Sequence, residues 1–230
     1  MAIQWLKQVS IVALTIILLV PLGINIVSAE TIFASANPCT QVVIQKSPND
    51  PRFSEQINLN QVKVPPAWDV TVGNSNQVIA IIDTGVNSDH EDLLYRIWIN
   101  NDETPNNGID DDNNGYIDDY KGYNMSWTVD ASAPDNTINT DTHGTNVTGI
   151  AAATTNNGLG IAGVGYKCRF FPIKASKYGS TSIRYGYQSM IYAAIRGCKV
   201  LNCSWGSVKP FSDIDQTVVD FAIAHDMVIV

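Results

Sequence analysis

The sequence predicts an α/β fold in three layers, in which a mostly parallel central sheet is covered by helices on both faces. Two observations predict this class. Short apolar runs rich in β-branched residues, which are typical of buried strands, alternate with longer segments of helical pattern. Such an alternation brings successive strands side by side in parallel, with the helices packed across them. Because the last apolar run reaches the final residue, we expect the sheet to be incomplete at the C-terminus.

The same pattern places each element along the chain. Residues 48–64 are polar and turn-rich, which predicts an extended N-terminal arm. Buried strands are expected over 78–82, 169–174, 199–204 and 227–230, and helices over 147–153, 182–196 and 217–224. Ligand sites in parallel sheets lie beyond the carboxyl ends of the strands, which is where Asp83 and residues 204–206 fall.

Composition narrows the class of protein. Of the 230 residues, 45% are hydrophobic and 16% are charged, which is enough apolar material for a sizeable core and argues against a disordered chain. The sequence has 14 Lys and Arg residues and 22 Asp and Glu residues, which gives a net charge of -8. Because no basic cluster is present, we expect no nucleic-acid partner.

The N-terminus has the pattern of a secretory signal. Residues 9–27 are almost wholly apolar, and the small residues of Val27-Ser28-Ala29 predict cleavage after Ala29. A retained membrane anchor is the alternative, and Pro21 within the stretch favours the signal. We therefore expect a signal peptide over 1–29, a short linker or pro-region over 30–47 and one domain over 48–230. The mature protein would be secreted or extracytoplasmic, without stable membrane contact.

Asp83 and His143 are candidates for catalysis. An aspartate at a strand tip can hold one ring nitrogen of a histidine, and the other nitrogen then acts as a general base on a hydroxyl nucleophile. On residue type alone, a structural role for any single histidine is the more common case. The sequence motifs around Asp83 and His143 favour the catalytic role.

Five local motifs resemble those of subtilisin-like serine proteases, peptidase family S8, and of their thermitase-like branch. The segment 81–93 resembles the aspartate motif and 143–149 the histidine motif. Residues 156–164 resemble the calcium-binding loop that follows, 200–206 the substrate-binding strand, and 48–51 with 67–69 the N-terminal arm. The resemblance runs from about residue 48 to 230, in the order of the family.

This resemblance implies a secreted serine endopeptidase that hydrolyses peptide or protein substrates and is a monomer when complete. Asp83 would be the triad aspartate and His143 the general base. Ser204, Trp205 and Gly206 would bind substrate as an added strand. The family's nucleophilic serine is expected beyond residue 230, so the chain is expected to be a fragment of the catalytic domain and inactive by itself.

The acidic stretch from about 100 to 141, which looks like an insertion, predicts a calcium loop. Oxygen ligands at alternate positions with a glycine at the sixth have the spacing with which a loop wraps a hard cation. The predicted ligands are the side chains of Asp110, Asp112, Asn114 and Asp118 and the carbonyl of Tyr116. A solvated acidic loop without an ion is the alternative.

The family resemblance implies another calcium site, which would join three distant segments. Its side-chain ligands would be Asp50, Asp92 and Asn157, and its backbone carbonyls would come from Thr154, Leu159 and Ile161. This set of oxygens suits calcium and is a poor match for zinc. Calcium is therefore the one expected cofactor, in a structural role.

Several alternatives stay open at this point. Cys168 and Cys198 start neighbouring strands and could form a disulfide or remain free thiols, while Cys203 is expected to face the core. Trp205 could line a substrate pocket or pack in the core. Three rivals to the peptidase are a catalytically inactive exported module that binds calcium and peptide, a metallohydrolase that uses Asp141 with the catalytic pair, and a truncated gene product.

Overall fold

The computed structural model describes residues 46–126, 142–177, 180–208 and 210–230. The predicted signal peptide, most of the predicted linker and Asp141 lie outside these residues, so the structure does not bear on them. Within the described ranges, no helix is both long and apolar enough to cross a membrane.

A five-stranded parallel sheet forms the centre of the domain, in the order β2-β3-β1-β4-β5. The strands are β1 Val78–Asp83, β2 Tyr123–Asn124, β3 Arg169–Lys174, β4 Val200–Asn202 and β5 Val228–Ile229. The helices are α1 Ile57–Gln61, α2 Val64–Val70, α3 Thr142–Ala152, α4 Gly186–Ile195 and α5 Asp213–Ala224. The predicted α/β class with a mostly parallel sheet is therefore confirmed.

The two faces of the sheet are buried under different helices, which gives the predicted three layers. Side chains alternate across a strand, so Ile81 and Ile82 of β1 face opposite sides. Ile81 belongs to a core cluster with Ala152 of α3, whereas Ile82 belongs to a larger cluster with Tyr192 of α4 and Ala222 of α5. The central position of β1, which pairs with both β3 and β4, puts Asp83 in the middle of the sheet's carboxyl edge.

Several local predictions were wrong. Helix α3 begins at Thr142 instead of 147, and β4 ends at Asn202 instead of 204. Residues 48–64 do not form an extended arm, because they contain a 3-10 turn at Phe53–Glu55 and then α1. Helix α4 begins at Gly186 instead of 182, because the amides of Arg184 and Tyr185 bond the carbonyl of Ala175 beside β3. The loop over 100–141 contains β2, a strand of two buried residues that is too short to have a recognisable period.

Candidate active site

Asp83 and His143 meet at the carboxyl edge of the sheet. Asp83 ends β1 with 1% of its surface exposed, and His143 lies in the first turn of α3. His143 Nδ1 lies 2.7 Å from Asp83 Oδ1. The same oxygen accepts hydrogen bonds from the backbone N–H of Thr84 at 2.7 Å and from its hydroxyl at 3.1 Å. The hydrogen bonds from Thr84 therefore hold the aspartate in the orientation in which it contacts the imidazole.

Close packing of backbone brings the helix to the strand. A Cβ on Gly144 would lie 2.2 Å from the carbonyl oxygen of Gly85, so only glycine allows α3 to start this close to the end of β1. The N–H of Asn87 donates to Thr145 Oγ1 at 2.8 Å, which ties the loop after β1 to the same turn of helix. These contacts fix His143 with respect to Asp83.

The geometry suits a general base. A carboxylate beside Nδ1 favours the tautomer that carries its proton on Nδ1, and in that tautomer Nε2 can act as the base. The side chain of His143 is 57% exposed while that of Asp83 is 2% exposed. The pair therefore combines a buried carboxylate with a mostly exposed imidazole, an arrangement that suits a general base.

Residues 204–206 lie just beyond β4, near the carboxyl end of β1, and Ser204 and Gly206 are exposed. The side chain of Trp205 is half-buried and packs inward. Its Nε1–H donates to the carbonyl of Ile82 at 3.0 Å, and its ring meets Tyr187 of α4 edge-on at 5.9 Å. Of the two alternatives for Trp205, these contacts favour packing against the core.

The structure brings Asp50, Asp92 and Asn157 together. The two oxygens of Asp50 accept from the backbone N–H groups of Asn156 and Asn157, at 2.8 and 3.1 Å. Asp92 Oδ1 accepts from Asn157 Nδ2 at 2.9 Å and Oδ2 from the N–H of Ile161 at 3.0 Å. Both carboxylates are buried, at 4% and 3% exposed.

Thr154 adds an unsatisfied oxygen beside this cluster. Its Oγ1 is buried without a hydrogen-bond partner, and its N–H donates to the carbonyl of Asp92 at 2.7 Å. Two buried carboxylates and an orphaned hydroxyl are an oxygen-rich set that fits a hard cation. The predicted carbonyl ligands Leu159 and Ile161 lie in the same loop.

The predicted ligands of the acidic loop come together only in part. Asp110 and Asp112 both accept from the N–H of Asn114, at 3.0 and 3.2 Å, and the side chain of Asn114 accepts from the N–H of Tyr116. Asp118 differs from the prediction, because its oxygens accept from the N–H groups of Asn107 and Gly108, each at 3.0 Å. Its carboxylate therefore helps to hold the preceding turn.

A different acidic group in this region was not predicted. Glu103, Asp112 and Asp119 each place an oxygen within 4.8 Å of the others. Burial, reinforced by the charge of Asp119, raises the pKa of Glu103. Burial also acts to raise the pKa of Asp112, but hydrogen bonds from Asn100 and Arg196 outweigh it and lower that pKa. No regular spacing in the sequence signals this group, since its members are scattered along an irregular loop.

The described cysteines Cys168, Cys198 and Cys203 are free thiols. Cys168 and Cys198 therefore remain free thiols in the structure and do not form a disulfide. Burial raises the pKa of Cys198 and that of Cys203 to about 12. Cys203 packs against the main core cluster, as expected from the sequence.

Comparison with known proteins identifies the family. The model of the subtilase family, Peptidase_S8, matches residues 74–230. Thermitase of Thermoactinomyces vulgaris is 34% identical over 179 residues, which cover 75% of this chain and 52% of thermitase. The extracellular protease of Xanthomonas campestris is 30% identical over 205 residues, covering 80% of this chain and 34% of that protein.

A solved structure agrees with these relatives. A protease from Pseudoalteromonas arctica superposes with a TM-score of 0.61 at 26% identity, over 80% of this chain and 58% of that one. The chain therefore belongs to the subtilase family, a class of serine proteases. Within that family it is thermitase-like, and it spans about half the length of thermitase.

Proposed function

We propose that this chain supplies the aspartate and the histidine of the catalytic triad of a secreted serine endopeptidase. The observation that carries the proposal is the 2.7 Å contact between His143 Nδ1 and Asp83 Oδ1 at the carboxyl edge of the sheet, in a chain of the subtilase family. The serine that completes the triad is proposed to come from outside these 230 residues, because none of their serines fits the nucleophile's motif. Residues 30–230 by themselves would then be inactive.

In the proposed reaction, His143 Nε2 removes the proton of the serine hydroxyl while the serine oxygen bonds to the carbonyl carbon of the peptide. The imidazolium that forms is stabilised by the carboxylate of Asp83, which stays ionised. His143 then gives the proton to the leaving amine as the peptide bond breaks and an acyl ester remains. A water molecule, deprotonated by the same nitrogen, hydrolyses the ester and restores the enzyme.

Peptide substrate would bind along residues 204–206. A peptide that adds to the sheet as a further strand forms main-chain hydrogen bonds, which are largely independent of sequence. The exposed Ser204 and Gly206 lie beside the tip of β1, so a peptide bound there would run past His143. The inward packing of Trp205 would anchor this segment beside the end of β1.

Structural calcium is the second part of the proposal. Asp50, Asp92 and Asn157 come from three segments far apart in sequence, and their contacts show that these segments meet at one place. An ion held there by these side chains and by the backbone around Thr154, Leu159 and Ile161 would hold the N-terminal segment to the loop after α3. Calcium binding to the folded state alone stabilises it by about 2.7 kcal/mol at a hundredfold excess over Kd.

The peptidase part is tested by Asp83→Asn in the full-length protein. The amide leaves the shape of the site intact but favours the wrong tautomer of His143, so we expect kcat for a chromogenic peptide to fall about 10⁴-fold. KM should change little, because Asp83 does not touch substrate. Asp220→Asn is the matched control, since this exposed residue of α5 loses the same charge and its carboxylate accepts a hydrogen bond from Gln216 of the same helix.

Labelling with a serine-directed phosphonate separates the alternatives. The wild type and the control should label, and Asp83→Asn should label far more slowly. Full-length wild-type protein that neither cleaves casein nor labels would contradict the peptidase proposal. It would favour the inactive module that binds calcium and peptide.

A further inference from the structure

We propose that Glu103, Asp112 and Asp119 bind a divalent cation, Ca²⁺, where the acidic loop meets the C-terminal end of α4. One oxygen of each carboxylate lies within 4.8 Å of the other two. Two oxygens on opposite sides of a calcium ion, each at about 2.3–2.6 Å, are roughly 4.6–5.2 Å apart. The three carboxylates can therefore reach one ion without a change of backbone.

An unpaired oxygen in Glu103 points to a ligand. Glu103 is only 4% exposed, and its Oε1 accepts from the N–H groups of Asp111 and Asp112, at 2.9 and 3.1 Å. Its Oε2 is buried and has no hydrogen-bond partner. A buried carboxylate oxygen without a partner destabilises the folded state, and a bound cation would offset this loss of free energy.

The local charge also favours a cation. Arg196 Nη1 lies 2.8 Å from Asp112 Oδ2, and its Nε lies 3.7 Å from Asp119 Oδ2. Three carboxylates against one guanidinium leave a net charge of about two negatives when all are ionised. A divalent ion would neutralise this remainder in a site where Asp119 is fully buried.

Outer contacts hold the ligands in place. The hydroxyl of Tyr192 donates to Asp119 Oδ2 at 2.5 Å, and Asn100 Nδ2 donates to Asp119 Oδ1 at 2.6 Å and to Asp112 Oδ2 at 3.1 Å. Hydrogen bonds of this kind orient metal ligands and raise affinity. They also connect the acidic loop to Tyr192 in α4, so the ion would stabilise the attachment of this loop to the domain.

This ligand set differs from the one predicted by the alternating spacing. Only Asp112 belongs to both sets. The carboxylate oxygens of Asp118 accept hydrogen bonds from the N–H groups of Asn107 and Gly108. The inference deepens the calcium part of the proposed function and does not depend on the peptidase part. Its test therefore measures ion binding instead of hydrolysis.

The test is Glu103→Gln in the full-length protein, freed of metal and titrated with Ca²⁺ in equilibrium dialysis. The amide keeps an acceptor for the two N–H groups but removes a charged ligand. We expect one fewer calcium ion per chain, or a Kd for one ion weakened at least tenfold, while Asp220→Asn matches the wild type. Unchanged stoichiometry with Kd within twofold would overturn the proposal.

A second measurement covers the case in which Glu103→Gln does not fold. Crystals of the wild-type protein grown with calcium and soaked with Tb³⁺ should show an anomalous peak within about 2.6 Å of oxygens from all three carboxylates. A peak at Asp110 and Asp118 without Glu103, or no peak in this region, would overturn the proposal. In equilibrium dialysis, Mg²⁺ should bind more weakly than Ca²⁺, because Mg²⁺ demands shorter and more regular coordination.

Discussion

At the residue scale, the contact between Asp83 and His143 depends on how closely two segments of backbone approach. Asp83 is oriented by Thr84, its neighbour in the chain, and His143 reaches it only because α3 begins against the loop after β1. Gly144 sits at that contact with no room for a side chain. Gly144 thus allows His143 to come within hydrogen-bond distance of Asp83.

We expect Gly144→Ala to lower both stability and activity. The new Cβ would lie 2.2 Å from the carbonyl oxygen of Gly85 and 3.1 Å from Asp83 Cβ, so α3 must move away from β1. Overpacking of this kind costs about 1–3 kcal/mol, and the displaced His143 should lower kcat of the full-length enzyme by at least tenfold. Urea denaturation and kinetics with a peptide substrate measure the two effects.

Gly149→Ala is the matched control in the same helix. Its Cβ would meet only Ile161 Cδ1, at an ordinary 3.5 Å. Because alanine favours helix over glycine by about 1 kcal/mol, this variant should be as stable as the wild type or more so, with unchanged kcat. Equal behaviour of the two variants would argue against the close approach at Gly144.

At the element scale, the ends of helices depend on local chemistry more than on the apolar pattern. Helix α5 was expected from residue 217, where apolar residues start to recur, and it begins at Asp213. Ser212 accepts from the N–H of Asp215, and the carboxylate of Asp215 accepts from the N–H of Ser212 at 2.9 Å. This reciprocal cap is visible in the sequence as serine followed three residues later by an acid.

The cap predicts a graded pair of variants. Ser212→Ala removes the side-chain acceptor and should lower the free energy of unfolding by about 1 kcal/mol, within a range of about 0.5–2. Ser212→Gly should cost only a few tenths, because glycine is tolerated at this position. Chemical denaturation with circular dichroism distinguishes them, and an alanine variant as stable as the glycine variant would contradict the capping contact.

At the scale of the whole molecule, the two faces of the sheet are closed by different parts of the chain. The larger core cluster includes Cys198, which is 2% exposed and lies three residues after the end of α4. The acidic loop and the segments around Asp50 and Asp92 attach to this framework through buried polar contacts. The fold therefore combines a packed apolar centre with polar attachments that suit cations.

Thiol chemistry tests this packing. Burial raises the pKa of Cys198 from 9.0 to about 12, which makes its reactive thiolate about a thousandfold rarer near neutral pH. In the native full-length protein at pH 8, Cys198 should therefore react with iodoacetamide at least a hundredfold more slowly than in urea, as measured by mass spectrometry. The fraction of thiolate rises with pH, so the native rate should still be climbing above pH 10.

The unfolded protein provides the control for this experiment. In urea without reductant, Cys168, Cys198 and Cys203 should all be alkylated, because all three are free. A peptide that joins Cys168 to Cys198 would contradict the structure. Rapid modification of native Cys198 would show that the core around it is open.

The sequence by itself determined the fold class, the strands that end at Asp83 and Lys174, and the pairing of Asp83 with His143. These depend on short-range patterns, since a β-branched apolar run favours a strand and its polar last residue reaches the sheet's edge. The tertiary structure alone decided which acidic residues share a site. Glu103 and Asp119 come together with Asp112 because the irregular loop folds back onto Arg196 and Tyr192 of the α4 region, and such long-range contacts have no period in the sequence. For the same reason, only the structure could show that Asp118 faces the preceding turn and that Trp205 packs inward.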